Sequence, residues 1–245
     1  MSKKAEEAAK LLVEAARTNR PLAGLPDSCK PASKEEAYAI QDAVMALRGT
    51  PAGWKASPSK PFSRSPIYLV EQSGAVLEAS QFQGLGVEIE FGFRVTKDLP
   101  PRGSEYSQDE VFGAIELVPL IEILGSRFVD RKAVSPFEAL ADNASNGGYL
   151  IGNPVTDWTQ TGFKTDKCEL AIDGKVIQTA VGTHPLDNPA VIMVWLANEL
   201  TARHGGLRKG QVVTTGALKG SSPIKAGQKA VGTWGNWGRA EVTFR

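Results

Sequence analysis

Cysteine is nearly missing from this 245-residue chain: Cys29 and Cys168 are the only two, with no C-x-x-C and no Cys/His cluster. That speaks against a disulfide-stapled scaffold and a zinc site, and it suits a reducing compartment. Charge of one sign is missing too. Lys and Arg number 28 against 27 Asp and Glu, leaving +1 overall and a pI of about 7.7. With no basic stripe and no acidic tail, no nucleic-acid partner is expected. Long apolar runs are absent; the longest, residues 190–197, is far too short to span a bilayer. The opening MSKKAEEAAKLL lacks the apolar core and small-residue cleavage site of a secretory signal. A cytoplasmic protein with no membrane partner is the expectation. Also lacking are a G-x-S-x-G elbow, a Walker A loop, a Rossmann fingerprint after a strand and any internal repeat.

What is present begins with helices. Ala5, Ala8, Leu11, Leu12, Ala15 and Ala16 recur at helical spacing behind a Ser2 cap, and Ser33 with Glu36 forms a capping box ahead of Ala37, Ile40, Val44 and Leu47. From about Gly53 the texture changes to short strands separated by Gly, Pro and Asn. Residues 67–70, 75–77, 87–95, 117–124, 211–215 and 240–244 read as strands, and CELAIDGKVIQTA as a hairpin turning at Asp173-Gly174. Two helices interrupt them, one capped at Ser135-Pro136-Phe137-Glu138 and one starting at Asp187 or Asn188 and ending near His204. At 245 residues this predicts one α+β domain, with a helical segment over 1–50 packed on a β-rich body over 51–245.

Three carboxylates carry the chemistry. In GVEIEF, Glu88 and Glu90 project from the same side of an extended strand. Glu122 interrupts the apolar run PLIEIL, where an unpaired charge is expensive to bury. Converging carboxylates repel one another unless a cation neutralises them, and oxygen donors suit Mg²⁺ or Mn²⁺. The alternative is a half-buried strand with Val87, Ile89, Phe91, Phe93 and Val95 inward and the two acids on a wet outer face. His204 falls in the last turn of its helix, where a cation suits the dipole and a structural role is expected. His184, in the loop GTHPLDN, fits either turn chemistry or a site. Lys55, flanked by small residues in AGWKAS, reads on its own as a solvated lysine.

The combination of G-W-K-A at 53–56, V-E-I-E-F at 87–91, L-I-E-I-L-G-S-R at 120–127, A-D-N-A-S-N-G-G-Y-L-I-G at 141–152, H-P-L at 184–186, W-L-A-N at 195–198 and T-G-A-L at 215–218 resembles the 2-hydroxypenta-2,4-dienoate (2-keto-4-pentenoate) hydratase family. These enzymes sit within the wider fumarylacetoacetate-hydrolase-like superfamily. The similarity runs from about Ala37 to the C-terminus. The resemblance implies a mixed β-roll with peripheral helices and a Mg²⁺ or Mn²⁺ ion held by Glu88, Glu90 and Glu122. It also implies an active-site Lys55, with Asp142 and Ser145 near a small 2-oxo or 2-hydroxy acid substrate. A metal-dependent hydro-lyase of aromatic catabolism follows, self-associating and able to associate with a related decarboxylase. The alternatives are a decarboxylase of the 4-oxalocrotonate type, an acylpyruvate hydrolase of the same fold, or a non-catalytic partner subunit.

Two departures from the family pattern stand out. The stretch over 57–73 is shorter than the family's lid-like segment and has no aspartate, Glu71 being its only acid. Gly86 stands where an arginine often precedes the E-x-E strand. A decarboxylase needs a cation for the distal carboxylate of its substrate, for which the sequence offers Arg64, Arg94 and Arg127.

Overall fold

A computed structural model describes residues 2–155 and 157–245. The chain starts with α1 (Lys3–Thr18) and α2 (Lys34–Arg48), each behind a serine whose hydroxyl accepts an N–H of the first turn. Ser33 forms only half of the expected capping box. The Glu36 carboxylate turns instead to Lys4 on α1 and to the Ala32 N–H, both at 2.7 Å, which ties the two helices together. Their small apolar faces (Ala5, Ala8, Ala9, Ala37, Ala43) form a buried cluster with Phe128 and with Ala141 of α4 (Pro136–Ala141).

Eight strands make the main sheet: β1 (Gly53–Ser57), β2 (Ser63–Ile67), β3 (Val70–Gln72), β5 (Gly86–Val95), β6 (Ile115–Leu124), β7 (Asn146–Ile151), β10 (Val212–Ala217) and β11 (Ser222–Pro223). Their order is β2-β1-β10-β5-β6-β7-β3, with β11 paired to the start of β5. A second sheet has the order β4 (Val76–Leu77), β13 (Gly238–Phe244), β12 (Lys229–Trp234), β8 (Lys167–Ile172), β9 (Lys175–Val181). Helices α3 (Gln108–Phe112) and α5 (Val191–Arg203) flank the sheets.

The main sheet is curled, and chain connectivity shows why. Strands β2 and β3 lie at opposite ends of the order, yet only Tyr68 and Leu69 separate Ile67 from Val70. Three residue steps reach about 11 Å at most, so the two ends must come round to meet. Ile67 and Val70 accordingly share one cluster with Val118, Leu120, Tyr149, Ile151 and Val212 inside the roll. Spacing predicts one strand over 67–70. The structure places a sheet-crossing corner there instead, and the strands fall on either side of it.

The outer face of the roll packs on the second sheet, with Val87, Ile89, Phe91 and Phe93 in one core with Trp234, Val242 and Phe244. Both faces of β5 are therefore covered. The interior leaves little room: a Cβ added at Gly92 would lie 2.7 Å from Leu120 Cδ1. Helix α5 begins at Val191, later than the sequence suggests, because the Asn188 carboxamide accepts the Ala190 N–H in a preceding turn.

Candidate active site

Glu88 and Glu90 project into the roll from β5, and register places Glu122 of β6 directly opposite Glu88. One oxygen from each of the three lies within 4.8 Å of the others. Glu90 and Glu122 are fully buried, while Glu88 retains partial access to solvent. The wet-outer-face alternative thus fails for a physical reason: curling encloses the acid-bearing side of β5.

Lys55 enters from β1, opposite Thr214 of β10 on the same face. Its Nζ donates to both Glu122 oxygens, at 2.6 and 2.7 Å. Far from being solvated, its side chain is only 15% exposed. Burial alone would depress the Lys55 ammonium, but Glu122, Glu90 and Glu88 together hold it above the usual lysine range. It therefore stays charged. Burial and the neighbouring Glu122 raise the Glu90 carboxyl well above its ordinary range, and the same two causes raise Glu88. The Gly216 N–H donates to Glu90 Oε2 at 2.8 Å, whereas Glu90 Oε1 is buried with no hydrogen-bond partner. An orphaned carboxylate oxygen beside two further acids, balanced by a single lysine, fits a bound divalent cation with hard oxygen donors. Glu88, Glu90 and Glu122 are the residues that would hold it.

Several neighbours escape notice in the sequence. The Asn146 carboxamide donates to Glu122 Oε1 at 2.8 Å. Tyr149, opposite Glu122 on β7, hydrogen-bonds Thr214 at 3.1 Å, and burial and the acids push its phenol well above the ordinary range. The pairing of β10 with β5 shifts register between Thr214 and Ala217, which aims the Gly216 N–H at Glu90. His184 supports that irregularity. Its Nδ1 accepts the Leu186 N–H at 3.1 Å, leaving Nε2 to donate to the Thr215 carbonyl at 2.9 Å. It is a buried neutral imidazole holding a strand.

The D-N-A-S motif forms a left-handed turn. Asn143, Ala144 and Ser145 have φ of 55°, 52° and 60°, a conformation that costs a non-glycine residue about 1–2 kcal/mol. An ion pair clamps it: the buried Asp142 carboxylate accepts from the Arg127 guanidinium and from Ser126 at 2.7 Å. Arg127 also donates to the Gly125 and Asn146 carbonyls, both at 2.7 Å. Asp142 thus spends its carboxylate on the protein. Ser145 is buried in the turn, one residue before Asn146.

None of the three arginines the sequence offers for a distal carboxylate is free at the acids. Arg64 is buried behind β1 against Tyr38 and Trp54, between Asp42, Glu199 and His204. Arg94 pairs with Glu116, and Arg127 with Asp142. His204 accepts from Arg64 at 2.6 Å. Burial first, then Arg64, lowers its pKa, so it does not serve its helix as a cation. Residues 57–73 do not form a separate lid. Five of them make β2, three make β3, and the β1–β2 loop is anchored by Phe62 edge-on to Trp195 at 5.5 Å.

Comparisons with known proteins agree with this architecture. The sequence profile of the family described as fumarylacetoacetate (FAA) hydrolase C-terminal matches residues 32–244. A 2-keto-4-pentenoate hydratase of Paraburkholderia xenovorans (strain LB400) is 28% identical over 240 residues, covering 91% of this chain and 88% of that one. A 2-hydroxyhexa-2,4-dienoate hydratase of Comamonas testosteroni is 28% identical over 237 residues, with 89% of each chain covered. Among solved structures, the 4-oxalocrotonate decarboxylase of Pseudomonas putida G7, complexed with magnesium and adipate, superposes with a TM-score of 0.82. It is 20% identical, over 100% of this chain and 99% of that one. The chain belongs to the fumarylacetoacetate hydrolase family.

Proposed function

We propose that this protein is a divalent-cation-dependent hydratase acting on 2-hydroxydienoates of the kind formed in aromatic-ring degradation. The observation that carries the reading is the buried convergence of Glu88, Glu90 and Glu122 on one point with the Lys55 ammonium beside them. The hydratases similar to it over most of its length support the choice of reaction. Mg²⁺ or Mn²⁺ would supply Lewis acidity toward the carboxylate and C2 oxygen of the substrate.

The chain's own residues do the rest. A 2-hydroxypenta-2,4-dienoate must lose its enol proton and gain one at C5, giving 2-oxopent-3-enoate. Water then adds its oxygen at C4 and a proton at C3, giving 4-hydroxy-2-oxopentanoate. Both stages place negative charge on the C2 oxygen, and a buried ammonium stabilises such charge and can deliver a proton. Lys55 is held in that protonated form by the acids. Ser145 stands near the substrate in this reading, and Asp142 acts by fixing the turn that carries Ser145 and Asn146.

The test incubates Mg²⁺-loaded protein with 2-hydroxypenta-2,4-dienoate and with 2-hydroxymuconate, following ultraviolet absorbance and identifying products. A 4-hydroxy-2-oxo acid supports the hydratase reading. Release of CO₂ without hydration would assign a decarboxylase, and no turnover of either would remove the enzyme reading.

A further inference from the structure

A single peptide group connects the acid cluster to the opposite face of the sheet. Between Thr214, opposite Gly92, and Ala217, opposite Glu90, β10 carries one residue more than β5 does. Gly216 absorbs it at φ 110°, and a Cβ there would lie 2.7 Å from Pro58. The Thr215 carbonyl and the Gly216 N–H belong to the same peptide, whose trans planar geometry points them in opposite directions. Inward, the Gly216 N–H donates to Glu90 Oε2 at 2.8 Å; outward, the Thr215 carbonyl accepts from His184 Nε2 at 2.9 Å. His184 is 1% exposed and lies beside Phe91, ring centroids 6.0 Å apart, on the face of β5 away from the acids. Its loop is fixed at both ends of the irregularity: Thr183 Oγ1 donates to the Leu218 carbonyl, and Lys164 donates to the His184 carbonyl at 3.0 Å. Hydrogen bonds in series polarise one another, so the imidazole strengthens the N–H that reaches Glu90.

We infer that His184 is a positioning residue for the cation site: through the 215–216 peptide it restricts Glu90 to offering one oxygen, and so sets which divalent ion the acids prefer. The inference rests on the cation reading of the acid cluster and deepens it by assigning its selectivity. Glu90 Oε2 is engaged by Gly216, while Oε1 is buried without a partner and is the oxygen left for an ion. One oxygen per carboxylate suits the near-octahedral Mg²⁺ and Mn²⁺, whereas Ca²⁺ takes about 6–8 oxygens and draws on both atoms of a carboxylate. Without His184 the Thr215 carbonyl loses its donor, the peptide is free to turn, and Glu90 can present both oxygens. Binding of the small ions then weakens, and Ca²⁺ gains relative to them.

The test titrates Mn²⁺ into the protein, following the free ion by electron paramagnetic resonance, and then displaces it with Mg²⁺ or Ca²⁺ to obtain their Kd values. Thermal melts of the metal-free proteins check folding. In His184→Ala the Mn²⁺ and Mg²⁺ Kd values should rise about 10-fold or more, the usual worth of an outer hydrogen bond to a metal-holding group. The Ca²⁺ Kd should rise less, so the ratio of Ca²⁺ to Mg²⁺ Kd falls. His184→Gln, whose carboxamide N–H can serve the same carbonyl, should restore both. An unchanged Mg²⁺ Kd in His184→Ala, or an equal loss for Mg²⁺ and Ca²⁺, overturns the assignment. If His184→Ala does not melt cooperatively, Thr183→Val, a change at an exposed residue, removes the other donor of the loop. A smaller fall in the same ratio is expected there, and an unchanged ratio overturns the assignment. If the unmodified protein binds no Mn²⁺, the cation reading itself falls, and this proposal with it.

Discussion

Lys55 and Asn146 both touch Glu122, but their removal should have opposite consequences. Lys55→Ala takes away the buried cation bonded to Glu122, so chelator-treated protein should melt at a lower temperature. A divalent ion then becomes the main counter-charge, and its affinity should be retained or rise. Turnover should fall about 10²- to 10⁴-fold, the usual worth of a positioned acid. Steady-state rates together with Mg²⁺ titrations separate the two effects; activity within a few-fold of normal would reduce Lys55 to a structural ion pair. Asn146→Ala instead frees a Glu122 oxygen from the hydrogen bond that orients it. Outer hydrogen bonds to metal-holding groups are typically worth 10- to 100-fold in affinity, and a loss of about that size is expected here. An unchanged Mg²⁺ Kd would show that Glu122 needs no such orientation. The sequence makes the acids legible because a glutamate inside an apolar strand is anomalous. Asn146 carries no such signal, since its role depends on a register between β6 and β7 that no local pattern records.

At the scale of elements, the left-handed turn over 143–145 stores strain that the Arg127–Asp142 pair holds in place. Arg127→Ala should destabilise the fold by about 3–5 kcal/mol, since it strands a buried carboxylate. Ala144→Gly should stabilise it by about 1 kcal/mol, because glycine accepts this φ without penalty. Denaturant melts of the two variants check both signs, and a destabilised Ala144→Gly protein would mean that the turn is not strained. Helix caps, the Asp173-Gly174 hairpin and the alternation of β5 can all be read locally. Strands β2, β7 and β12 cannot, nor can α3. Strand β2 holds a proline and a buried arginine, and β7 opens with Asn-Gly-Gly, so neither looks like a strand until its neighbours are known. The segment over 57–73 suggests an altered lid by its length. In the structure it supplies the two strands and the corner that close the roll, which explains how a shortened stretch can be structural and still border the site.

For the whole molecule, curling the sheet converts an ordinary-looking strand face into a buried cluster of acids, and pH dependence follows. The folded protein holds Glu90 and Glu88 above the ordinary carboxylate range, so between about pH 4.5 and those raised values it binds more protons than the unfolded chain. The stability this contributes is present at low pH and is lost as pH rises through the folded-state values. A divalent ion offsets the loss by neutralising the same carboxylates. The Mg²⁺-induced rise in Tm should therefore grow with pH in thermal scans, and a rise that is flat with pH would separate the acids from the ion. No helix among the described residues is long and apolar enough to cross a membrane, which agrees with the absence of long apolar runs in the sequence.

We propose that three strand-borne acids, brought together only by the curl of the sheet, form one divalent-cation site. Electron paramagnetic resonance of free Mn²⁺ during titration measures this directly, without reference to turnover. One Mn²⁺ should bind per chain, be displaced by excess Mg²⁺, and be lost in Glu122→Ala and Glu90→Ala proteins that still melt cooperatively. Absence of Mn²⁺ binding in the unmodified protein, or undiminished binding in both variants, would contradict it.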